Sequence, residues 1–482
     1  MNLSRRHLFA LVAIPVLILS AGCSDRNPTD LPAARAKIDP MVFDEKYDPI
    51  NVLYGEDAYF QPFSGTDPYS LKVDSLYASN GSLSIKVTVP PDGSAMGAYA
   101  GGVLTSVASR DFADFNALTF KARTESISSI TLNVAGFGND NTGTSLYEAG
   151  REGIVIGSEW TFVIVPIPAP SKVISERGIF TFAEGWEAPH TLGYDIWFDE
   201  IKFAKVDNIT NKIPRLPPGI KHSFVGSTAI LSGTQTFFEV DGAFLTVNHS
   251  PHYFDYDSSD PSVAVVVGSE IQVVGEGTTT IKAFLEGIES NTSVELTGYL
   301  PPTVAATPPA VPAENVISMF SDVYNDVPVD TWRTDWSPAQ VEDYVVAGDN
   351  TKMYSGLPYV GIEFLNPMID ASEMTHIHLD VYAPTGSEFR VKLVSFPLDP
   401  DVDFVQTFEL ILNPTSMPPF VSGAWAYLDI PLTEFQIDPG GSGYTWDDWD
   451  WANIGQMVLS TANANLPLSA QLVLVDNVYW HK

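Results

Sequence analysis

The stretch Ser82-Leu-Ser-Ile-Lys-Val-Thr-Val89 alternates polar and apolar side chains, and this period of two predicts a strand with one buried face. Similar short runs follow at residues 117–120 and 160–165, with glycine, asparagine and proline between them. No long stretch shows the 3.6-residue periodicity of an amphipathic helix. The sequence therefore predicts an all-β chain whose first folded part, residues 46–206, is an antiparallel sandwich.

The size and charge of the chain limit what it can do. Its 482 residues are too many for one hydrophobic core and indicate about three domains. It carries 25 Lys+Arg against 59 Asp+Glu, a formal net charge of −34. A surface this negative repels nucleic acids and polyanionic glycans, so neither is an expected partner. The charge fits a neutral ligand, a divalent cation or a saline habitat.

The N-terminus, residues 1–22, has the pattern of an export signal, because two arginines precede an apolar run too short for a stable membrane span. Residues 20–23, Ser-Ala-Gly-Cys, resemble a bacterial lipobox. The resemblance implies cleavage before Cys23 and lipidation of its thiol, and Ser24 after it is typical of an outer-membrane lipoprotein, at the cell surface or periplasmic face. A signal peptide with an incidental cysteine is the alternative. The polar residues 23–45 are expected to form a tether.

Two proline-rich joints divide the rest of the chain. One is at residues 214–218 and the other at residues 301–313, which cannot form regular helix or sheet. Between them, residues 257–265 and 271–283 resemble the bacterial Ig-like group 2 domain, and the likeness implies a small β-sandwich over residues 214–300 that serves as a spacer or adhesion module. Residues 314–482 form a third, β-rich domain.

The first and third domains are predicted to be distant repeats, because three pairs of segments match in the same order. These pairs are residues 111–120 with 370–379, Trp160 and Pro166 with Trp425 and Pro431, and the closing strands around Asp199 and Asp476. We therefore expect two jelly-roll sandwiches separated by a small Ig-like β-sandwich.

The third domain resembles the carbohydrate-binding domain appended to bacterial family 16 glycoside hydrolases, including laminarinases. The likeness is carried by residues 319–332, 361–364, 369–378 and 475–480. The first domain is similar, less specifically, to sandwich carbohydrate-binding modules through residues 134–140 and 194–203. The resemblance implies a sandwich that holds a glycan and often a structural calcium ion. The Glu-x-Asp-x-(x)-Glu strand of the family 16 catalytic domain is not found in the sequence.

Aromatic residues in polar or glycine-rich surroundings are the candidate sugar platforms, because a sugar ring stacks its C–H face on an aromatic plane. Residues 443–451, Gly-Tyr-Thr-Trp-Asp-Asp-Trp-Asp-Trp, are the densest cluster. The candidates are Trp446, Trp449, Trp451, Trp332, Trp336, Tyr99 and Trp186. Packing of these rings into the sandwich is the alternative for each. Trp160, Trp197, Trp425 and Trp480 lie in apolar strand runs and are predicted to be core residues.

Asp199 and Asp476 occupy equivalent places in the two repeats and are candidate calcium ligands. Their predicted partners are Glu56 or Asp57 for the first and Asp322 or Asp326 for the second. The alternative is a carboxylate that accepts backbone N–H bonds at a strand edge. His376 and His378 are spaced to face one side of a strand, but without an obvious third ligand they are expected to be a packed or surface pair.

These features together predict a non-catalytic, surface-exposed lipoprotein that captures a neutral polysaccharide such as the β-glucan laminarin. It would pass the glycan to neighbouring hydrolases or importers. Two alternatives remain, namely a glycoside hydrolase with a cryptic carboxylate pair and a structural or adhesion protein.

Overall fold

The computed structural model describes residues 36–43, 58–95, 97–125, 129–140, 145–229, 231–396, 405–437, 449–461 and 471–482. The predictions for the signal peptide, Cys23, most of the tether, Glu56, Asp57 and Trp446 lie outside these ranges. The described end of the predicted tether, residues 36–43, packs against the first sandwich, because Val42 and Phe43 are buried in its core. Within the described ranges the regular elements are strands, apart from short 3₁₀ turns at Pro170–Lys172, Pro251–Tyr253, Ala313–Asn315 and Leu432–Glu434. No helix among these residues is long and apolar enough to cross a bilayer.

The first sandwich consists of two facing sheets, which confirms the all-β prediction. Its strands are β1 (Ala58–Pro62), β2 (Leu71–Asp74), β3 (Ser84–Val89), β4 (Tyr99–Arg110), β5 (Ala117–Thr124), β6 (Ile130–Phe137), β7 (Ala149–Ile156), β8 (Thr161–Pro166), β9 (Glu176–Gly185) and β10 (Tyr194–Ala204). One sheet has the order β2-β3-β10-β5-β8, and the other begins β1-β4-β9-β6-β7. The alternation in β3 buries Ile85, Val87 and Val89 and exposes Thr88, as the sequence predicts.

Part of the middle module, residues 214–300, belongs to a sheet of the first sandwich. The strands that follow β10 are β11 (Ile209–Arg215), β12 (Gly219–Phe224), β13 (Thr228–Ala229), β14 (Gln235–Val240), β15 (Ala243–His249), β16 (Asp255–Ser258), β17 (Ala264–Val267), β18 (Glu270–Val273), β19 (Gly277–Leu285), β20 (Ile288–Glu289) and β21 (Val294–Tyr299). Two sheets, β12-β21-β19-β16 and β13-β18-β17, form the module itself, and β20 pairs with β19. The hairpin β14–β15 instead extends the first sandwich, because β15 pairs with β7 and the sheet continues β7-β15-β14-β11.

The second sandwich has the same strand order as the first. Its strands are β22 (Val316–Phe320), β23 (Gln340–Val346), β24 (Asp349–Ser355), β25 (Tyr359–Glu363), β26 (His376–Tyr382), β27 (Phe389–Ser395), β28 (Gln406–Leu412), β29 (Trp425–Pro431), β30 (Gln436–Ile437), β31 (Ile454–Ser460) and β32 (Leu472–His481). We call β23-β24-β32-β26-β29, with β22 on β32, the back sheet, and β25-β31-β27-β28-β30 the front sheet.

The two sandwiches correspond strand by strand. The order β2-β3-β10-β5-β8 matches β23-β24-β32-β26-β29, and β4-β9-β6-β7 matches β25-β31-β27-β28. The closing strands β10 and β32 also share a bulge, where Glu200 and Asn477 have positive φ angles of 50° and 48° directly after Asp199 and Asp476. The shared strand order and the shared bulge confirm the predicted internal repeat.

The middle module covers part of the outer face of the back sheet. Phe224 lies in one buried cluster with Val346, Met353, Leu472 and Leu474 of the second sandwich. The Tyr344 hydroxyl donates a hydrogen bond to the Val225 carbonyl at 2.6 Å. The front sheet lies on the opposite side of the second sandwich and carries the exposed groups described next.

Candidate functional site

The outer face of the front sheet is built by strand alternation. Val360, Ile362, Val391 and Leu393 point into the core and are fully buried. The residues between them point outward, and the strand register places them in rows across the sheet. The rows are Tyr359, Ser460, Arg390 and Ile411, then Gly361, Val458, Lys392 and Glu409.

Trp336 and Tyr359 form an aromatic platform at one edge of this face. Their ring centroids are 6.0 Å apart with an interplanar angle of 31°, and 49% and 42% of their surfaces are exposed. The indole lies directly on Gly361, where a Cβ would come within 2.3 Å of two ring carbons. Only glycine leaves room for the ring at this position.

The loop that carries Trp336 is fixed to β25 by hydrogen bonds. Thr331 and Glu363 exchange backbone hydrogen bonds, at 3.1 and 2.9 Å. The Ser337 hydroxyl accepts a bond from the Gly361 backbone N–H at 2.9 Å and lies 2.7 Å from the Thr334 hydroxyl. The platform is therefore pre-organised, which lowers the entropy lost when a ligand binds.

Charged side chains beside the platform neutralise one another. Arg390 pairs with Glu388 at 2.6 Å and with Glu409 at 3.5 Å, and Lys392 lies 3.7 Å from Glu409. A surface depression of about 330 Å³ is lined by Arg390, Lys392 and Glu409 together with Tyr359 and Val458. The face thus offers hydrogen-bond donors and acceptors without a net charge.

Trp332, another candidate sugar platform, does not lie beside Trp336 on the front sheet. Its half-buried ring packs edge-on against Phe320, with centroids 5.5 Å apart, and Lys352 Nζ is 5.4 Å from the indole centroid. Arg333 donates to the Ala339 and Ser337 carbonyls, so it holds the loop. Tyr359, Arg390, Lys392 and Glu409 were not predicted as site residues. The alternation Phe-Arg-Val-Lys-Leu at residues 389–393 was the signal that could have revealed two of them.

The structure corrects the expectation that Trp449 displays its ring. Only 5% of its surface is exposed, and its indole stacks on Phe408 with centroids 4.1 Å apart and planes within 11°. Trp451 is half-buried and packs edge-on against Trp449 at 5.6 Å. Trp449 thus belongs to the core of the second sandwich and Trp451 packs against that core, which was the alternative for these two rings. Trp446 lies outside the described residues.

In the first sandwich Tyr99 and Trp186 lie at neighbouring strand ends, since Tyr99 pairs with Gly185. The Tyr99 ring lies over Gly101, as Trp336 lies over Gly361, and its hydroxyl donates to the Ser64 carbonyl at 2.8 Å. Trp186 is 38% exposed. The pattern Tyr-x-Gly begins both β4 and β25. The ring over the glycine belongs to the strand's own Tyr99 in the first sandwich and to Trp336 of a separate loop in the second, so the two edges differ.

The carboxylates next to Trp186 accept hydrogen bonds from other residues of the first sandwich. Glu184 accepts hydrogen bonds from the Tyr194 hydroxyl and the Asn133 backbone N–H, and Glu187 accepts one from the Thr131 N–H at 2.7 Å. Burial raises the pKa of Glu184 to about 7. Both glutamates therefore support the junction of β6 and β9.

The tryptophans predicted to be core residues divide into two groups. Trp197 and Trp480 are fully buried, as predicted. Trp160 and Trp425 are only half-buried. For both of these the prediction is wrong. Trp425 lies on the outer face of β29, because Ala426, Leu428 and Ile430 of the same strand point into the core. Its Nε1 donates to the Val304 carbonyl of the second proline-rich joint at 2.9 Å.

Asp199 is held by backbone N–H groups. Its Oδ2 accepts the Ser79 and Asn80 backbone N–H groups and its Oδ1 accepts that of Glu200, which is the strand-edge alternative. The two carboxylate oxygens of Asp199 thus accept three hydrogen bonds between them. The described residues contain no group of three His, Cys, Asp or Glu side chains arranged to hold a metal ion.

Asp476 is in a different environment. Its Oδ1 accepts the Asn477 N–H at 2.7 Å, whereas its Oδ2 is buried without a hydrogen bond among the described residues. Burial, followed by the Asp349 and Asp380 carboxylates, raises the pKa of Asp476 to about 7. The exposed Asp322 accepts from Asn350 Nδ2, and Asp326 accepts from the Ser318 hydroxyl. Calcium binding at Asp476 stays a prediction, and so does calcium binding at Asp199, whose predicted partners lie outside the described residues.

The histidines of β26 are packed, as expected. His378 is fully buried between Tyr427 and Tyr479, with ring centroids 4.1 and 4.6 Å away. His376 stacks on His481 at 4.9 Å.

The fold and this site define a modular all-β protein with two sandwiches of one strand order, one of which carries an open aromatic face. No family model and no curated protein match the chain. Similar solved structures include a family 30 carbohydrate-binding module of a Clostridium thermocellum cellulosomal cellulase (14% identity, 35% of this chain, 97% of that chain, TM-score 0.27). A family 11 module from Clostridium thermocellum with a β-1,3-1,4-mixed-linked tetrasaccharide matches at 17% identity (35% of this chain, 95% of that chain, TM-score 0.25).

A β-1,2-glucanase from Parabacteroides distasonis also matches, at 15% identity over 51% of this chain and 37% of the enzyme, with a TM-score of 0.22. Scores this low carry no argument about function, and the fold assignment rests on the strand order described above.

Proposed function

We propose that this protein binds a neutral polysaccharide on the outer face of the front sheet, and that it does so without cleaving it. The observation that carries the proposal is the rigid, half-exposed platform of Trp336 and Tyr359. Beside it lies a charge-balanced set of Arg390, Lys392, Glu388 and Glu409. The apolar face of a sugar ring stacks on such a platform, and its hydroxyls hydrogen-bond to the charged groups beside it. An open face suits a chain rather than a single sugar.

A neutral β-glucan such as laminarin is the proposed ligand. The balanced charges of the face give an anionic glycan no net attraction, and the formal charge of −34 on the chain repels it. The family resemblance of residues 314–482 is what directs the choice to β-glucans. Alginate, an anionic glycan, is therefore a suitable negative control.

The Trp336→Ala variant is expected to bind laminarin about 5- to 150-fold more weakly than the wild type. The reason is the loss of one stacking plane, for which the analogous stacking of a base on an aromatic ring is worth about 1–3 kcal/mol. Isothermal titration calorimetry against laminarin, mixed-linkage glucan, xylan and alginate measures the affinities. Phe162→Ala removes a comparably exposed ring from the first sandwich and should leave the affinity unchanged.

Two results would refute parts of this proposal. An unchanged affinity of a folded Trp336→Ala variant would refute the platform. Absence of binding by the wild type to all four glycans would refute glycan binding altogether. Release of reducing sugar by the wild type in the same samples would favour the alternative of a glycoside hydrolase.

We also propose that the protein is an outer-membrane lipoprotein that holds the glycan near hydrolases or importers. The support is the N-terminal sequence, with its short apolar run and Cys23 after Ser-Ala-Gly. In cells supplied with labelled palmitate, the wild type is expected to incorporate the label and Cys23→Ala is not, because the thiol is the proposed site of lipidation. Equal labelling of the two proteins would contradict lipidation of Cys23.

A further inference from the structure

A second depression lies away from the front sheet, where the middle module, the second proline-rich joint and the back sheet meet. Its volume is about 700 Å³, within the usual range for ligand sites. Tyr299 from the end of β21, and Tyr382 and Trp425 from the back sheet, contribute three aromatic side chains to its wall. We call this depression the junction groove.

The aromatic wall of the junction groove is held in place by its neighbours. Tyr382 and Trp425 are directly paired across β26 and β29, with centroids 5.8 Å apart. Trp425 Nε1 donates to the Val304 carbonyl at 2.9 Å, which fixes the indole against the proline-rich joint. Tyr382 also packs on Phe224 of the buried cluster between the two modules, with centroids 6.0 Å apart. The rings therefore belong to a rigid wall.

The rest of the lining consists mostly of small or apolar residues and carries one charge. It includes residues 300–305 and Thr307, at the end of the middle module and in the joint, where Pro301 and Pro302 have a carbonyl acceptor but no backbone N–H donor. Thr303 and Thr307 add hydroxyls, and the exposed Glu276 is the one charged residue of the lining. Acceptors of this kind suit a ligand with many hydroxyl donors, whereas Glu276 repels an anion.

We propose that the junction groove is a second binding site for the same class of neutral glycan, an inference that rests on the proposed function. A sugar residue stacks on the wall of Tyr382 and Trp425, and its hydroxyls donate to Glu276 and to the carbonyls of the joint. The two sites lie on opposite sheets of one sandwich, so they bind two segments of a polymer or two separate chains. Occupancy of two sites raises the avidity for a polymer even where each site is weak.

Isothermal titration calorimetry with a short β-1,3-gluco-oligosaccharide tests the inference, because such a probe occupies each site separately. The wild type is expected to bind two molecules per chain. Trp336→Ala should retain one site, the junction groove, and Trp425→Ala should retain the front-sheet site. The double variant should bind none.

Because Trp425→Ala also removes the hydrogen bond to the joint, its effect on binding does not isolate the aromatic ring. A second variant in the groove leaves that hydrogen bond in place. Glu276→Ala changes only an exposed side chain and is expected to weaken the site that survives in Trp336→Ala by about tenfold, the usual effect of losing a hydrogen bond to a charged group. Val274→Ala, an exposed change nearby on the same module, should have no effect.

The outcomes separate the two proposals. A wild type that binds one molecule, with all binding lost in Trp336→Ala, overturns the junction groove and leaves the proposed function intact. The junction groove is also refuted if neither Glu276→Ala nor Trp425→Ala, each made in the Trp336→Ala background, changes the affinity of the remaining site. A wild type that binds no oligosaccharide and no polymer overturns both.

Discussion

Replacing Trp449 by alanine is expected to lower the free energy of unfolding of the second sandwich by about 3–5 kcal/mol, the usual cost of truncating a buried aromatic residue. Its indole is 5% exposed, stacks in parallel on Phe408 at 4.1 Å and supports Trp451. The cavity left behind cannot be refilled by the half-buried Trp451 without moving it from its own contacts. Glycan affinity of the folded variant should stay at the wild-type value.

Denaturant unfolding followed by tryptophan fluorescence measures the first effect and calorimetry with laminarin the second. Trp336→Ala should give the reverse pattern, a loss of affinity with a change in stability below about 1 kcal/mol, because its ring is half-exposed. Trp449→Phe should recover part of the lost stability. If the Trp449→Ala variant were as stable as the wild type but no longer bound glycan, the result would contradict a core position and indicate that the ring contacts the ligand.

The second large effect concerns the pH dependence of stability at Asp476. Burial and the Asp349 and Asp380 carboxylates raise the pKa of Asp476 from 3.8 to about 7. A folded-state pKa above the unfolded one means that the folded protein holds the proton more tightly. The resulting stabilisation is fully present below about pH 4 and is lost as the pH rises to about 7. A shift of this size corresponds to about 4 kcal/mol.

Asp476→Asn removes this titration and is the matched control. An asparagine keeps the acceptor for the Asn477 N–H and replaces the buried Oδ2 by a donor, which suits the nearby Asp349 carboxylate. The variant should equal the wild type in stability near pH 4 and exceed it by about 4 kcal/mol at pH 8. Melting curves between pH 4 and pH 8, with calcium removed by a chelator, measure the difference. Equal stabilities at pH 8 would contradict a raised pKa.

The same melting curves test the calcium prediction. A cation held by the ionised Asp476 carboxylate would offset the repulsion from Asp349 and Asp380. Calcium should then raise the melting temperature of the wild type at pH 8 and not that of Asp476→Asn. No calcium effect on the wild type would refute the prediction at this position.

The strand architecture was accessible from the sequence because it depends on local patterns. Alternation in residues 82–89 predicts a strand with one buried face, and β3 has that burial pattern. The repeat was also visible, since the matching segments of the two sandwiches occupy corresponding strands, β5 with β26 and β8 with β29. Chain order and spacing are preserved in the sequence even where identity is low.

The positions of the aromatic side chains were decided by tertiary contacts. Trp336 and Trp449 have similarly polar neighbours in the sequence, yet one lies on Gly361 at the surface and the other stacks on Phe408 in the core. The difference arises because the partner of each ring is distant along the chain and is brought to it only by strand pairing.

The sequence by itself therefore determined the all-β class, the two related sandwiches and the strongly acidic charge, because composition and periodicity act along the chain. Only the tertiary structure decided which rings are exposed, that hairpin β14–β15 extends the first sandwich, and that Arg390, Lys392 and Glu409 meet beside Tyr359. Strand register sets which side chains from distant segments share a face, and register is a property of the assembled sheet.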